Sequence, residues 1–426
     1  MKLDNLREKT ITLMKNGHIC DNCLGRGFAE LLTGMSNDER GRILRLYLAF
    51  LIDSGENIEV DHSNFHGIEF RHVKLKPTTP KPCSICGDFF SESISHLAEE
   101  ISKKLSSYEF DSFLIGTVVS SKLIGRQEKA WMESGIEFVE PIRREINREL
   151  GKKGERLTGK RADLETPDIT IIADLEKNQI NLQVSSILIY GKYQKLARGI
   201  SQSIWICKSC NGKGCVKCSG EGKVYKTSIQ EIIGTPMIKS FKAKRTKFHG
   251  SGREDVDVRC LGKRPFIIEM LRPKVRKSDL KKLQSIINKS KKVKVFGLKF
   301  ASKVDIHEVK TSKYDKTYLA EVTFESDVDK ERLKAIGKLN DYIISQRTPR
   351  RVAHRRADKI RKRSLVNVKY KLLGKKRVEF KMRGESGLYI KELISGDDGR
   401  TNPNFSDLLD NKVKNIKLDV IKVHTK

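Results

Sequence analysis

The sequence lacks an apolar run long enough to cross a bilayer. Its longest such stretch, around Leu46–Ile52, is far short of the roughly 20 residues a spanning helix requires. The opening residues, from Met1 through Glu8, contain no apolar core of a secretory signal. Membrane attachment and export are therefore not expected; a cytoplasmic protein with reduced thiols is. Nucleotide-binding loops are missing too. Gly154 to Arg161 spells Gly-x4-Gly-Lys, but arginine stands where a phosphate-binding loop needs Ser or Thr for magnesium, and the stretch follows a helix rather than a strand. No dinucleotide-binding glycine fingerprint follows a strand. Chemistry that depends on a nucleotide cofactor thus has no visible site. Acidic residues are in deficit as well: 54 Asp and Glu stand against 85 Lys and Arg, a formal net charge of +31. So large an excess points to a polyanionic partner, a nucleic acid, bound largely through counterion release.

Eight of the nine cysteines fall into Cys-x-x-Cys pairs. Cys20 and Cys23 are separated from Cys83 and Cys86 by residues 24–82; Cys207 and Cys210 are separated from Cys215 and Cys218 only by residues 211–214. Each pair can offer two thiolates to one ion, and two pairs complete a tetrahedral zinc site. No neighbouring histidine or carboxylate suggests an open coordination position, so both sites are expected to be structural. Cys260 stands alone and is expected in the core.

The hydropathy pattern predicts helices at residues 38–54, 94–105 and 137–150, and strands at 112–120, 168–175 and 179–190, an α/β alternation. Beyond the 207–223 knuckle, strands dominate: 265–271, 292–301, 318–324, 366–372, 377–382 and 416–423, with helices at 278–289 and 329–336. The fold class is therefore α+β and multidomain, with an accessory region at 1–205, a four-cysteine knuckle at 206–223 and a catalytic region with a large, mainly antiparallel sheet at 224–426.

The motif with most chemical content is Gly252-Arg253-Glu254-Asp255-Val256-Asp257-Val258-Arg259. A glycine turn delivers an arginine and an aspartate, and the alternating valines predict entry into a strand. This turn resembles the catalytic loop of pseudouridine synthases. The resemblance makes Asp255 the nucleophile and gives Arg253 the task of holding a flipped-out nucleotide; Asp257 is the rival carboxylate. Lys316 to Val322 resembles the family strand whose tyrosine, here Tyr318, stacks on uracil. Gly387 to Leu393 resembles the motif whose basic residue, here Lys391, pairs with the catalytic aspartate, and Tyr389 would line the uracil pocket. Arg161 to Thr170 together with Tyr190 to Gly199 resembles a THUMP domain, an RNA-binding module of tRNA-modifying enzymes. Lys192, Tyr193, Lys195 and Arg198 would supply its phosphate-and-stacking surface. Residues 347–363 carry nine Lys or Arg, and a helix of that composition beside an active site would track phosphates.

In this order the motifs resemble the Pus-Ten family of tRNA pseudouridine synthases, archaeal type, over nearly the whole chain. That resemblance implies isomerisation of uridine at positions 54 and 55 in the TΨC arm. It implies a tRNA partner, structural zinc, no cofactor for catalysis and no nucleotide cofactor, in a monomer. The competing expectation is a non-catalytic tRNA-binding protein or RNA chaperone built on the same fold.

Overall fold

A computed structural model describes residues 3–76, 78–79, 81–354 and 356–425. The chain divides into two compact units, Met1–Ser185 and Ser186–Lys426. Among the described residues no helix is long and apolar enough to cross a membrane.

The first unit holds a four-stranded sheet in the order β2-β1-β3-β4, formed by β1 (Ser112–Val118), β2 (Arg161–Ala162), β3 (Ile169–Asp174) and β4 (Gln179–Val184). Helices Ile94–Leu105 and Ile142–Thr158 supply apolar stripes that bury Ile101, Leu105, Ile146 and Leu150 in one core with Phe113 and Ile171. The second of these helices begins and ends later than the apolar pattern predicts. Pro141, with its fixed φ, sets the start, and Gly159, at φ +65°, sets the end. Helices Asp21–Arg26 and Asn37–Asp53 cross so closely that a Cβ on Gly25 would lie 1.9 Å from the Asn37 carbonyl oxygen. Only glycine fits there.

The second unit is built on a ten-stranded sheet. Its strands are β5 (Ile187–Lys195), β6 (Arg245–Gly250), β7 (Arg259–Leu271), β8 (Val293–Ala301), β9 (Lys316–Phe324), β10 (Tyr342–Arg347), β11 (Ile360–Gly374), β12 (Arg377–Gly384), β13 (Thr401–Asn402) and β14 (Val413–Val423). The order is β13-β10-β11-β12-β9-β14-β7-β5-β8, with β6 also on β7. All pairings are antiparallel except β14 with β7, which run parallel through Asp419↔Arg259 and Val420↔Cys260. The expected large, mainly antiparallel sheet is present. Cys260 is fully buried in it.

Several sequence expectations change. The single strand anticipated at 179–190 is two strands, and the division between the units falls between them, at 185/186 rather than at 205. β5 pairs with β7 and β8 in the large sheet, and the cysteine knuckle lies inside the second unit rather than marking its edge. The basic segment is not one helix: Arg347 pairs with Ile360 across β10 and β11, so residues 348–359 form the connection, with one helical turn at Arg350–Ala353 after Pro349. Arg355 of this segment lies outside the described residues. Finally, Asp255–Val258 precede the strand, which starts at Arg259, because side chains rather than a neighbouring strand take the carbonyls of residues 255–257.

Candidate active site

The loop 251–258 joins β6 to β7. Gly252 turns it at φ +69°, a conformation that side-chain-bearing residues rarely adopt. Below the turn, the side chains of Glu254 and Arg264 form an ion pair at 3.1 Å, each only 1% exposed. Arg264 also donates to the Ser251 carbonyl at 3.0 Å, and the Tyr193 hydroxyl donates to Glu254 at 3.0 Å. Burial pushes the Tyr193 hydroxyl well above its ordinary pKa, and the Glu254 charge adds to the effect, so it remains a donor. The loop therefore presents Asp255 from a base in which opposite charges are buried against one another.

Asp255 opens into a cleft of about 230 Å³ that is also lined by Arg253, Tyr318, Tyr389 and Lys391. All five candidate catalytic and substrate-binding residues thus come together. Tyr318 and Lys316 share the face of β9 that continues inward as Ala320, Val322 and Phe324, as a two-residue period requires. Burial pushes the Tyr318 hydroxyl up to about 12. Lys316, whose ammonium donates to the Tyr314 carbonyl at 2.7 Å, is brought down to about 8 by burial and by the Arg264 charge. Tyr389, which also lines the cleft, precedes the short helix Ile390–Ser395. Gln346, buried, fixes it through both backbone groups: its amide donates to the Tyr389 carbonyl and its oxygen accepts the Tyr389 N–H. Arg356 donates to the Tyr389 hydroxyl at 2.9 Å.

The charge pairing around the nucleophile candidate differs from expectation. Lys391 lies 2.7 Å from Asp257 and 3.8 Å from Asp255. The Asp257 carboxyl is consequently held below its ordinary value: burial pushes it up, but the hydrogen bond and charge of Lys391 outweigh that. The close partner of Asp255 is Arg351, whose Nη1 donates to Oδ1 at 2.7 Å. Arg351 also donates through Nε to Glu392, itself buried, at 2.5 Å. Its guanidinium is held above its ordinary value; burial opposes this, and the two carboxylates prevail. Sequence reasoning assigned Arg351 only to a phosphate-tracking helix. Its partner lies 96 residues away in sequence, so no local pattern could pair them.

The surface expected from Lys192, Tyr193, Lys195 and Arg198 does not exist as such. Tyr193 and Lys195 are 0% and 1% exposed and belong to the second unit's sheet. Arg198 spends its donors on the carbonyls of Asp257 and Leu418 and on the Asp419 carboxylate. Lys192 reaches the Thr425 hydroxyl at 3.2 Å.

Both cysteine sets close. In each, the four sulfurs lie within 4.8 Å of one another. Individual separations are 3.5 Å for Cys20–Cys86, 3.9 Å for Cys207–Cys215 and 3.8 Å for Cys210–Cys218. Four thiolates around zinc, each about 2.3 Å from the metal, stand about 3.8 Å apart, so both sets fit a tetrahedral ion. Backbone amides of Gly214 and Gly222 donate to Cys210 and Cys218 at 3.2 Å, and that of Cys20 donates to Cys83 at 3.3 Å. Such donors disperse thiolate charge. With four thiolates in each set and no position left for a substrate, these are structural zinc sites; zinc would be held by Cys20, Cys23, Cys83 and Cys86, and by Cys207, Cys210, Cys215 and Cys218.

A family model described as "Pus10, C-terminal" matches residues 188–424, and one described as "Pus10 THUMP domain, archaeal" matches residues 97–174. The THUMP match therefore takes in the first half of the proposed motif, Arg161 to Thr170, and leaves Tyr190 to Gly199 to the second unit. Among relatives named tRNA pseudouridine synthase Pus10, that of Methanothrix thermoacetophila is 37% identical over 98% of this chain and 94% of its own. The Methanopyrus kandleri protein is 39% identical over 98% of both chains. The Archaeoglobus fulgidus protein is 42% identical over 80% of this chain and 94% of its own. A solved Cbf5-Nop10-Gar1 complex aligns over 53% of this chain and 47% of that chain, at 13% identity and a TM-score of 0.28. The extent of the family match and the full-length relatives place the chain in the Pus10 family of tRNA pseudouridine synthases.

Proposed function

We propose that this protein isomerises uridine to pseudouridine in the TΨC arm of tRNA, at positions 54 and 55, with Asp255 as the nucleophile. The observation that carries the reading is the position of that carboxylate: it sits in a cleft between two tyrosines, with Arg351 and Lys391 as countercharges. A carboxylate so flanked is held in place and aimed. A non-catalytic RNA-binding protein would have no use for that arrangement.

The target uridine leaves its stack at a cost of a few kcal/mol, and the excess of positive charge on the chain favours the opened backbone. Arg253, beside Asp255 in the cleft, is suited to hold the displaced strand. Asp255 attacks the nucleoside and bonds to it transiently, the N1–C1′ bond breaks, the uracil turns, C5 bonds to C1′ and the bond to Asp255 is released, and the C5 proton leaves while N1 gains one. Atoms and electrons balance without a redox partner or group donor. With a hydroxyl raised to about 12, Tyr318 remains protonated at neutral pH. It serves as a stacking face and hydrogen-bond donor while the base turns, not as a standing phenolate. Arg351 takes the role that the sequence motif gave to Lys391, and Lys391 is shared between Asp255 and Asp257.

Incubation with an unmodified tRNA transcript labelled with tritium at uridine C5 tests the reading. Tritium release, with pseudouridine mapping to positions 54 and 55, is expected. Binding without release would contradict an enzymatic role, and release from other positions would contradict the site assignment.

A further inference from the structure

The second unit buries a lysine whose ammonium meets no carboxylate at hydrogen-bonding distance among its recorded partners. Lys195 is 1% exposed, at the end of β5. Its Nζ donates to two successive carbonyls, those of Asp255 at 3.0 Å and Val256 at 2.8 Å. Burial lowers its pKa, and the charges of Glu254, Asp257, Cys260 and Asp255 oppose that. Desolvating an ammonium is costly, and a methionine of similar length would fill the same space without that cost. The two carbonyls are therefore what the charge supplies.

Those carbonyls belong to the nucleophile and to the residue after it. Fixing the oxygens of residues 255 and 256 fixes the peptide planes on the C-terminal side of the Asp255 Cα, and with them the direction of its carboxylate. Neighbours from the same stretch of chain extend the grip. Arg198 donates to the Asp257 carbonyl, the Gly199 N–H donates to the Val256 carbonyl at 2.9 Å, and Gln202 donates to the Gly252 carbonyl at 2.9 Å. One segment of chain, 195–202, thus holds four carbonyls of the catalytic loop.

We propose that Lys195 is a positioning residue for catalysis: it clamps the Asp255 and Val256 carbonyls and so aims the Asp255 carboxylate, without touching RNA. This rests on Asp255 being the nucleophile. A misplacement of about 1 Å in a reacting group is enough to cost roughly a hundredfold in rate, which sets the size of the effect.

The full-length Lys195→Met protein, compared with wild type on unmodified tRNA, is expected to lose about a hundredfold in kcat while KM changes less than about twofold. Lys195→Gln, which keeps one donor, should fall between the two. In the free proteins, hydrogen exchange at the amides of Gly199 and Val258, which bond to the Val256 and Asp255 carbonyls, should quicken in Lys195→Met. Ile268→Val, a conservative change in the same sheet, controls for general destabilisation and should leave kcat unchanged. A raised KM with normal kcat would overturn the proposal in favour of RNA contact. So would unchanged kcat with unchanged exchange, or a kcat loss matched by Ile268→Val at equal stability. Should Lys195→Met not fold, Lys195→Gln and Arg198→Met carry the same comparison. A wild-type protein that forms no pseudouridine would refute the proposed function, whereas an active wild type with an equally active Lys195→Met would refute only this clamp.

Discussion

Two loops of the second unit, Cys207–Cys218 and Gly252–Val258, are held in opposite ways. The knuckle carries its constraint within itself: four thiols spaced for one ion and amides aimed at sulfur. Its tip residue Val216 is 97% exposed. The catalytic loop has a single backbone bond of its own among the described residues, from the Val258 N–H to the Asp255 carbonyl. Gln202, Lys195, Arg198 and Arg264 reach in from elsewhere and take its carbonyls one after another. A loop that only has to be present can be stapled locally. A loop that has to aim a carboxylate is gripped by the surrounding fold, so its geometry answers to distant residues.

The largest effect that would break this contrast lies beneath the catalytic loop. Glu254→Gln leaves Arg264 buried without its carboxylate, and loss of one partner of such a pair costs about 3–5 kcal/mol. Denaturant unfolding should register that loss, activity should fall with it, and bound zinc in the folded protein should stay at two per chain. Unchanged stability would mean that the loop does not depend on the pair.

The cysteine clusters come next. Cys23 is 1% exposed within the first unit's core, where Arg26 bridges it to Glu145. Cys23→Ser should reduce zinc to about one ion per chain and unfold the first unit. Cys215→Ser should also release one ion, yet shift melting by no more than about 3 °C, because the knuckle is locally closed and largely exposed. Equal destabilisation by the two variants would erase the distinction. Metal analysis with calorimetry decides it.

The smallest effect concerns the second aspartate. Asp257→Asn removes the nearer partner of Lys391 but leaves Asp255 with Arg351. Turnover should stay within about threefold, a change of about 0.7 kcal/mol. A loss of several orders of magnitude would transfer the nucleophile's role to Asp257.

Much of this was legible in the sequence, and what was not has physical causes. The cysteine spacings specify a local knuckle without reference to any fold. The Asp255, Tyr318 and Lys391 motifs were each recognisable on their own strand or turn, and the sheet brought them into one cleft. The boundary at 185/186 was hidden because the apolar alternation of β4 runs into that of β5 without a proline or glycine between them. Lys195 and Tyr193 were taken for surface because of their polarity. Their two-residue spacing from Ile189, itself fully buried, placed them on the inward face, and period outranked polarity. Arg351 could not be seen at all as a partner for Asp255, since long-range charge pairing leaves no local periodicity.

The most direct test of the central claim is Asp255→Asn, assayed for tRNA binding and for tritium release from C5-labelled uridine. The structure predicts binding close to wild type, because the change keeps the shape of the side chain, and no detectable release at positions 54 or 55. Retained turnover in this variant would contradict Asp255 as the nucleophile.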